Sequence, residues 1–216
     1  NYKVFNIDKN GYASETNFKS NEFKDERYNF YKCDLCNKVL IKEIVSEIIP
    51  DLIINLAAET HVDRSIDNPE LFVTNNIIGT LNLLEAVRNL YYKMPNDWQE
   101  NFIFYHAGTD EIYGSALENE YFNENSKYNP RSPYSTSKAS SNFLVQSWFH
   151  TYNIPIVIGN CSNNFGPAQF PEKLIPLSIF KALNNQKIPL YGNGQSIRDW
   201  IYVKDHINAI FKIIES

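Results

Sequence analysis

Residues 102–114 read FIFYHAGTDEIYG, an apolar run that passes directly into Thr109-Asp110-Glu111, and further on YSTSK at 134–138 opens an apolar-periodic helix. A strand end thus meets a helix start. Tyr134 and Lys138 stand four apart and share a helix face, and an ammonium beside a phenol favours the phenolate. Tyr134 is therefore a candidate base. Asp110 and Glu111 follow the strand at its carboxyl end, where open α/β sheets bind ligands, and acid–base chemistry needs one group in each protonation state. These residues point to an enzyme.

Upstream the strand-then-helix rhythm repeats. Tyr2–Asp8 reads as a strand ending in an acid, followed by a turn at Lys9-Asn10-Gly11-Tyr12. A carboxylate at the end of the second strand of a dinucleotide-binding fold takes the adenosine ribose hydroxyls, and Asp8 suits that role as well as it suits capping a turn. Phe30–Asp34 reads as another strand. Asn37 then caps a helix carrying Val39, Leu40, Ile44, Val45 and Ile48, which Pro50 ends. Leu52–Ala58 is apolar but for Asn55, as in a strand buried on both faces of a parallel sheet. Its small alanines would let a cofactor approach the backbone, and Thr60 follows where a ligand hydroxyl could be met. His61 reads more readily as a packed histidine than as a ligand. Asn68-Pro69-Glu70 starts a long crossover helix through Leu90, in which Asn75 and Asn76 are expected to be solvated unless the helix lines a cofactor cleft.

Asn101–Thr109 is the next expected strand, and the polar stretch from Ser115 to Pro133 suits substrate contacts or a lid. The helix from Tyr134 runs on through Phe143, Leu144, Trp148 and Tyr152. Ile154–Ser162 reads as a strand ending in Asn163-Asn164, whose amides can read hydroxyls and carbonyls of a ligand. From Lys173 the rhythm changes: a helix near Leu174–Leu183, a strand Ile188–Tyr191, a turn at Gly192–Gly194, then Ser196–Val203 and a final helix. The expectation is an α/β fold, a Rossmann-type doubly wound parallel sheet over 1–165, with part of a smaller substrate-binding region over 166–216.

With 216 residues, 43% hydrophobic and 21% charged, the chain can build a substantial core. A net charge of −5 argues against a nucleic-acid surface, so an anionic ligand must be held by a few local Lys and Arg side chains. No apolar run reaches the roughly 18 residues of a membrane span, and a cytoplasmic enzyme is expected. Three cysteines give no disulfide framework. Cys33 and Cys36 form a CxxC with no second ligand pair, so they read as two unpaired thiols near a strand end.

Together, LAAETHVDRSI (56–66), TDEIYG (109–114), YSTSK (134–138), CSNNFGPAQFPEKLIPL (161–177) and YGNGQSIRDWIYVKDH (191–206) resemble the nucleoside-diphosphate-glucose 4,6-dehydratases. These are extended short-chain dehydrogenases, and the dTDP-glucose enzymes of rhamnose synthesis look closest. The resemblance implies that Tyr134, helped by Lys138, takes the proton from the hydroxyl on glucose carbon 4 while hydride passes to NAD. Glu111 would then remove the proton on carbon 5, Asp110 would protonate the departing hydroxyl of carbon 6, and the hydride would return to carbon 6. Thr109 would hold the oxygen on carbon 4. No metal is needed.

By the same matching, Asp8, Lys9, Asp34, Leu35, Leu56, Ala57, Ala58, Asn75 and Asn164 would line the NAD site with Tyr134 and Lys138. Thr60, Asn163, Lys173, Leu174, Pro189, Tyr191 and Arg198 would hold the sugar nucleotide with Thr109, Asp110 and Glu111. Arg198 and Lys173 supply the cations that a diphosphate requires. Gly108 stands where the family usually has Ser, Asn75 where Thr is common, and Gly11 where Thr often follows the ribose acid. The resemblance also implies a homodimer, with helices 69–92 and 134–152 as its bundle. The base of the nucleotide, thymine or uracil, stays open.

A sugar-nucleotide epimerase or decarboxylase of the same fold would share Tyr134 and Lys138 without needing both Asp110 and Glu111. A non-catalytic NAD-binding protein would be expected to have lost part of the set. The chain has only 8 glycines and no GxGxxG, so a central strand and Gly-rich turn are expected to precede residue 1. The strands 2–8 and 52–58 would then flank an interruption in a 3-2-1-4-5-6 sheet. The 216 residues alone are expected to bind NAD poorly, and the final helix to stop before the substrate region is complete.

Overall fold

A computed structural model describes residues 2–14, 25–117, 119–190 and 192–216. They form two compact units, one of the described residues within 2–9 and 25–160 and one of those within 10–14 and 161–216.

In the first unit β1 (Val4–Asp8) and β2 (Tyr28–Lys32) pair in parallel, Asp8 opposite Lys32, so both strands end at one edge. α1 (Lys38–Ile48) starts where the Asn37 side chain accepts from the Leu40 N–H, and it ends on left-handed Ile49 just before Pro50. It buries Ile41, Ile44 and Val45, whereas Val39 is 67% exposed. β3 (Leu52–Asn55) stops three residues short of the expected strand end. The cause is local: Asn55 Oδ1 accepts from the Ala57 N–H at 3.3 Å, and this turn takes the chain off the ladder. α2 (Val62–Asp67) was not expected, its cap being the His61 ring, which accepts from the Arg64 N–H.

α3 (Pro69–Phe72) begins at an Asn68 cap and passes through a π turn, Val73–Ile78, into α4 (Gly79–Tyr91). The crossover is therefore not one regular helix. Asn76, expected in solvent unless the helix lines a cofactor cleft, is 1% exposed. α5 (Asn96–Asn101) occupies the start of the expected strand, leaving β4 at Ile103–Ala107. α6 (Pro133–Tyr152) has a capping box between Ser132 and Ser135 and leads to β5 (Ile156–Gly159). β3, β4 and β5 form a parallel sheet in that order. β1 and β3 are not paired with each other and belong to separate sheets.

The core lies where α1 packs on α4 and both cover the strands. Ile41, Leu84, Val87, Phe104, Val145 and Ile154 are fully buried there, each such side chain contributing about 1.5–3 kcal/mol from burial. Parallel strands joined by helical crossovers make this a Rossmann-type α/β fold, and no described helix is long and apolar enough to cross a membrane.

In the second unit β6 (Asn163–Phe165) pairs in parallel with β7 (Trp200–Tyr202). The single strand expected over 154–162 thus ends at Gly159, and a separate strand follows. α7 (Leu174–Leu183) matches its expected span, and α8 (Val203–Ile214) closes the chain. Residues 188–190 are not a strand, and Tyr191 lies outside the described residues.

Candidate active site

Thr109, Asp110 and Glu111 sit where β4 gives way to a 3-10 turn, Asp110–Tyr113. Thr109 is 7% exposed; its hydroxyl oxygen accepts from the Glu111 N–H at 3.4 Å and its O–H donates to Asp110 Oδ1 at 3.3 Å. The threonine therefore braces the turn that carries the two acids, both half-buried. That turn packs against α6, on which Tyr134 and Lys138 are 8% and 5% exposed. Phe72 stands edge-on to the Tyr134 ring at 6.3 Å, and the Tyr134 N–H donates to Ser65 Oγ at 3.2 Å. Lys138 Nζ donates to the Ala107 carbonyl at 2.6 Å, so its ammonium is anchored at the end of β4. The five residues expected to carry acid–base chemistry are on adjacent elements of one unit.

At the ends of β1, β2 and β3 stand the residues matched to a dinucleotide. Asp8 is exposed at the end of β1, and its carbonyl accepts from the Cys33 N–H at 3.1 Å. Asp34 Oδ1 accepts from the Cys36 N–H at 2.8 Å, and the Leu35 carbonyl accepts from Asn82 Nδ2 at 2.9 Å. A Cβ at Gly79 would come 3.2 Å from the Leu35 Cβ, so glycine lets the helix approach that turn. Leu56 and Ala57 are exposed beyond β3, with Ala58 half-buried. Thr60 is also exposed.

Lys9 Nζ donates to Glu59 Oε1 and to Asn75 Oδ1, both at 2.7 Å. Lys9 and Asn75, expected to make separate cofactor contacts, are thus joined to each other and to the turn after β3. Asp8 and Asp34 provide carboxylates at neighbouring strand ends, and the alanines leave room for a flat ligand, so the donor set fits an adenosine ribose and base. Cys33 and Cys36 are unpaired. Burial pushes the Cys36 thiol up to about 11 and raises the Cys33 thiol too, so neither is poised as a thiolate.

The second unit carries the other expected contacts. Asn163 pairs with Trp200 across β6 and β7. Asn164 Oδ1 meets His206 Nδ1 at 2.8 Å, while its Nδ2 donates to Cys161 Sγ and to the Ser162 carbonyl. Both ends of the Asn164 amide therefore have partners within the unit, and the ring nitrogen facing Oδ1 must carry the proton. Burial lowers the pKa of His206, which favours that neutral ring. Lys173 is half-buried at the start of α7, while Leu174, Pro189 and Arg198 are exposed. Arg198 donates to the Ile197 carbonyl.

Residues 1–216 match the model of the family described as GDP-mannose 4,6 dehydratase. The chain belongs to that family. It is 44% identical over 212 residues to the dTDP-glucose 4,6-dehydratase of Neisseria meningitidis serogroup B, covering 98% of this chain and 60% of that one. It is 46% identical over 220 residues to the dTDP-glucose 4,6-dehydratase of Salmonella typhimurium, covering 98% and 61%. The chain thus spans about three-fifths of the length of these curated relatives. Among solved structures, DesIV, a dTDP-glucose 4,6-dehydratase from Streptomyces venezuelae with NAD and TYD bound, superposes with a TM-score of 0.89 at 32% identity, covering 99% of this chain and 63% of that one. A UDP-glucuronic acid 4-epimerase from Bacillus cereus, in complex with UDP-glucuronic acid and NAD, gives 0.86 at 27%, covering 100% and 66%.

In this member of the dehydratase family, several buried polar residues around the site escaped the sequence reading. Asn76 donates to the Glu59 carbonyl and to Ser137 Oγ and accepts from the Glu59 N–H, tying the turn after β3 to α6. Ser137 donates to the Tyr134 carbonyl, and Ser141 to the Lys138 carbonyl. A serine three residues after each member of the Tyr-Lys pair is a signal the sequence does carry. Asn160 fills the space beside Gly108, where a Cβ would lie 1.8 Å from its Oδ1.

Proposed function

We propose that this chain is the catalytic part of an NAD-dependent NDP-glucose 4,6-dehydratase, converting dTDP- or UDP-glucose to the 4-keto-6-deoxy sugar for deoxysugar or rhamnose synthesis. The observation that carries the reading is the pairing of two half-buried acids on one braced turn with the buried Tyr134 and Lys138 on the helix packed against it. An epimerase needs the second pair but not both acids. NAD supplies a reversible hydride acceptor when bound. Tyr134 takes the proton of the carbon 4 hydroxyl, and Lys138 favours its phenolate. Glu111 takes the proton on carbon 5, which the neighbouring ketone acidifies, and Asp110 gives a proton to the hydroxyl that leaves carbon 6. Thr109 keeps the turn in place and bonds the oxygen on carbon 4.

Asp8 and Asp34 with Leu35 would receive the adenosine, Leu56, Ala57 and Ala58 would face the dinucleotide, and Lys9 and Asn75 would act as one unit beside it. Asn164 is proposed near the nicotinamide. Thr60, Asn163, Lys173, Leu174, Pro189, Tyr191 and Arg198 would hold the nucleotide sugar, the two cations meeting its diphosphate. We also propose the division into a dinucleotide-binding region, 1–165, and a sugar-nucleotide region, 166–216, a homodimer through the helical stretches 69–92 and 134–152, and a cytoplasmic location without nucleic-acid partners. The test is incubation of the purified full-length protein with NAD and each of dTDP-glucose and UDP-glucose, followed by detection of the 4-keto sugar. Accumulation of a C4 epimer in its place would assign the chain to the epimerase branch.

A further inference from the structure

We propose that His106 is a positioning residue for the acid–base helix, its ring locked as the Nε2–H tautomer and linking the end of β3 to the backbone of Lys138 through Ser141. The proposal rests on the roles given above to Tyr134 and Lys138.

His106 is 1% exposed in β4, and a buried imidazole must satisfy both ring nitrogens. Its Nδ1 lies 3.1 Å from Asn55 Nδ2 and its Nε2 lies 3.2 Å from Ser141 Oγ. The partners fix the proton. Asn55 Oδ1 already accepts from the Ala57 N–H at 3.3 Å, which turns the amide NH2 toward the ring and makes Nδ1 the acceptor. The ring proton is then on Nε2 and points at Ser141 Oγ. Ser141 in turn donates its own proton to the Lys138 carbonyl at 2.8 Å. Every bond in the chain runs one way, from Ala57 through Asn55, His106 and Ser141 to Lys138.

Two consecutive residues of β4 therefore hold both ends of the lysine. The His106 side chain grips its backbone through Ser141, and the Ala107 carbonyl takes its ammonium at 2.6 Å. Asn55 and Ser141 are buried, so water does not stand in for a lost partner. Burial holds the His106 pKa well below the ordinary histidine range, and the charge of Lys138 adds to that, so the ring stays neutral as the directional chain requires. The Tyr134 phenol rides on the same helix while the ammonium is held by Ala107 of β4, so a shift of the helix by a fraction of an ångström would change the distance between them.

His106→Gln and His106→Asn in the full-length protein separate positioning from simple core filling. A glutamine amide reaches the place of Nε2 and can still donate to Ser141, whereas an asparagine amide reaches only the place of Nδ1. Glutamine is expected to keep most of kcat, and asparagine to lower kcat on the order of 10- to 100-fold with KM little changed. In the asparagine variant the acid limb of the kcat profile should move to higher pH, because Tyr134 loses the aligned ammonium. Equal kcat in the two variants, or a loss in the asparagine variant that is uniform across pH, would overturn the proposal. A 15N spectrum of the histidine rings, with His106 assigned by its loss in His106→Gln, should show a neutral Nε2–H tautomer at neutral pH. An Nδ1–H tautomer or a charged ring overturns the relay whether or not any sugar nucleotide is turned over, so its failure is told apart from failure of the dehydratase reading.

Discussion

At the scale of single residues, Glu111 and Gly108 give the sharpest expectations. Glu111→Gln keeps the size of the side chain and would remove the proposed base for carbon 5, with Tyr134 still in place to begin the proposed oxidation. Absorbance of reduced nicotinamide is expected to appear while 4-keto-6-deoxy product falls by about 10²–10⁴-fold; unchanged turnover would remove Glu111 from that role. Gly108→Ser restores the side chain usual in the family, but its Cβ would meet Asn160 Oδ1 at 1.8 Å. Asn160 accepts from the fully buried Asn142 and donates to the Tyr113 hydroxyl, each at 3.0 Å, so moving it breaks both bonds. A loss of about 1–3 kcal/mol in urea unfolding is expected, and a smaller one when Asn160→Ala is present as well. An additive pair would show that the two positions do not share the space.

At the scale of elements, Asn37 for α1 and Asn68 with Pro69 for α3 were legible as caps, while α6 was placed from YSTSK and its Ser132 cap went unread. The elements that escaped lack such signals. α2 is capped by a histidine ring, and α5 reads NDWQEN, with no apolar period to follow. β3 looked longer because Leu56-Ala57-Ala58 continue the apolar run, while the turn that ends it depends on the Asn55 amide. Most of the candidate cofactor and sugar-nucleotide contacts came only through the resemblance, whereas Asp110, Glu111, Tyr134 and Lys138 could be picked out by type and position. The buried amide of Asn76 and the ring of His106 could not, because only their neighbours from other elements decide whether a polar side chain is solvated or bonded.

The burial of His106 gives a pH expectation. Its folded pKa lies well below 6.5, so the unfolded chain takes up a proton that the folded chain refuses. Stability should fall as pH drops below about 6.5 and go on falling until the folded ring protonates. The difference in unfolding free energy between the native protein and His106→Gln, followed by urea from about pH 7.5 to about pH 5.5, should shift against the native protein by up to about 1.4 kcal/mol per pH unit. A difference independent of pH would mean that the ring titrates normally.

At the scale of the whole molecule, parallel strands bring acids, small residues and the Tyr-Lys helix to their carboxyl ends, and the family supplies the context. Asp8, exposed at the end of β1, should repel the extra phosphate of NADP. NAD is expected to bind at least about tenfold more tightly in calorimetric titration, a difference of about 1.4 kcal/mol, and equal affinities would remove Asp8 from the ribose. The proposed dehydration makes a stricter demand, because it fixes the fate of two hydrogens. dTDP-glucose or UDP-glucose carrying deuterium at carbon 4 is incubated with the full-length protein and NAD in ordinary water, and the product is read by NMR. The account expects deuterium at carbon 6 of a 4-keto-6-deoxy sugar and, in a companion incubation of unlabelled substrate in deuterium oxide, solvent deuterium at carbon 5. Deuterium returned to carbon 4 of an epimerised sugar, or a carbon 5 that takes up no solvent hydrogen, would contradict it.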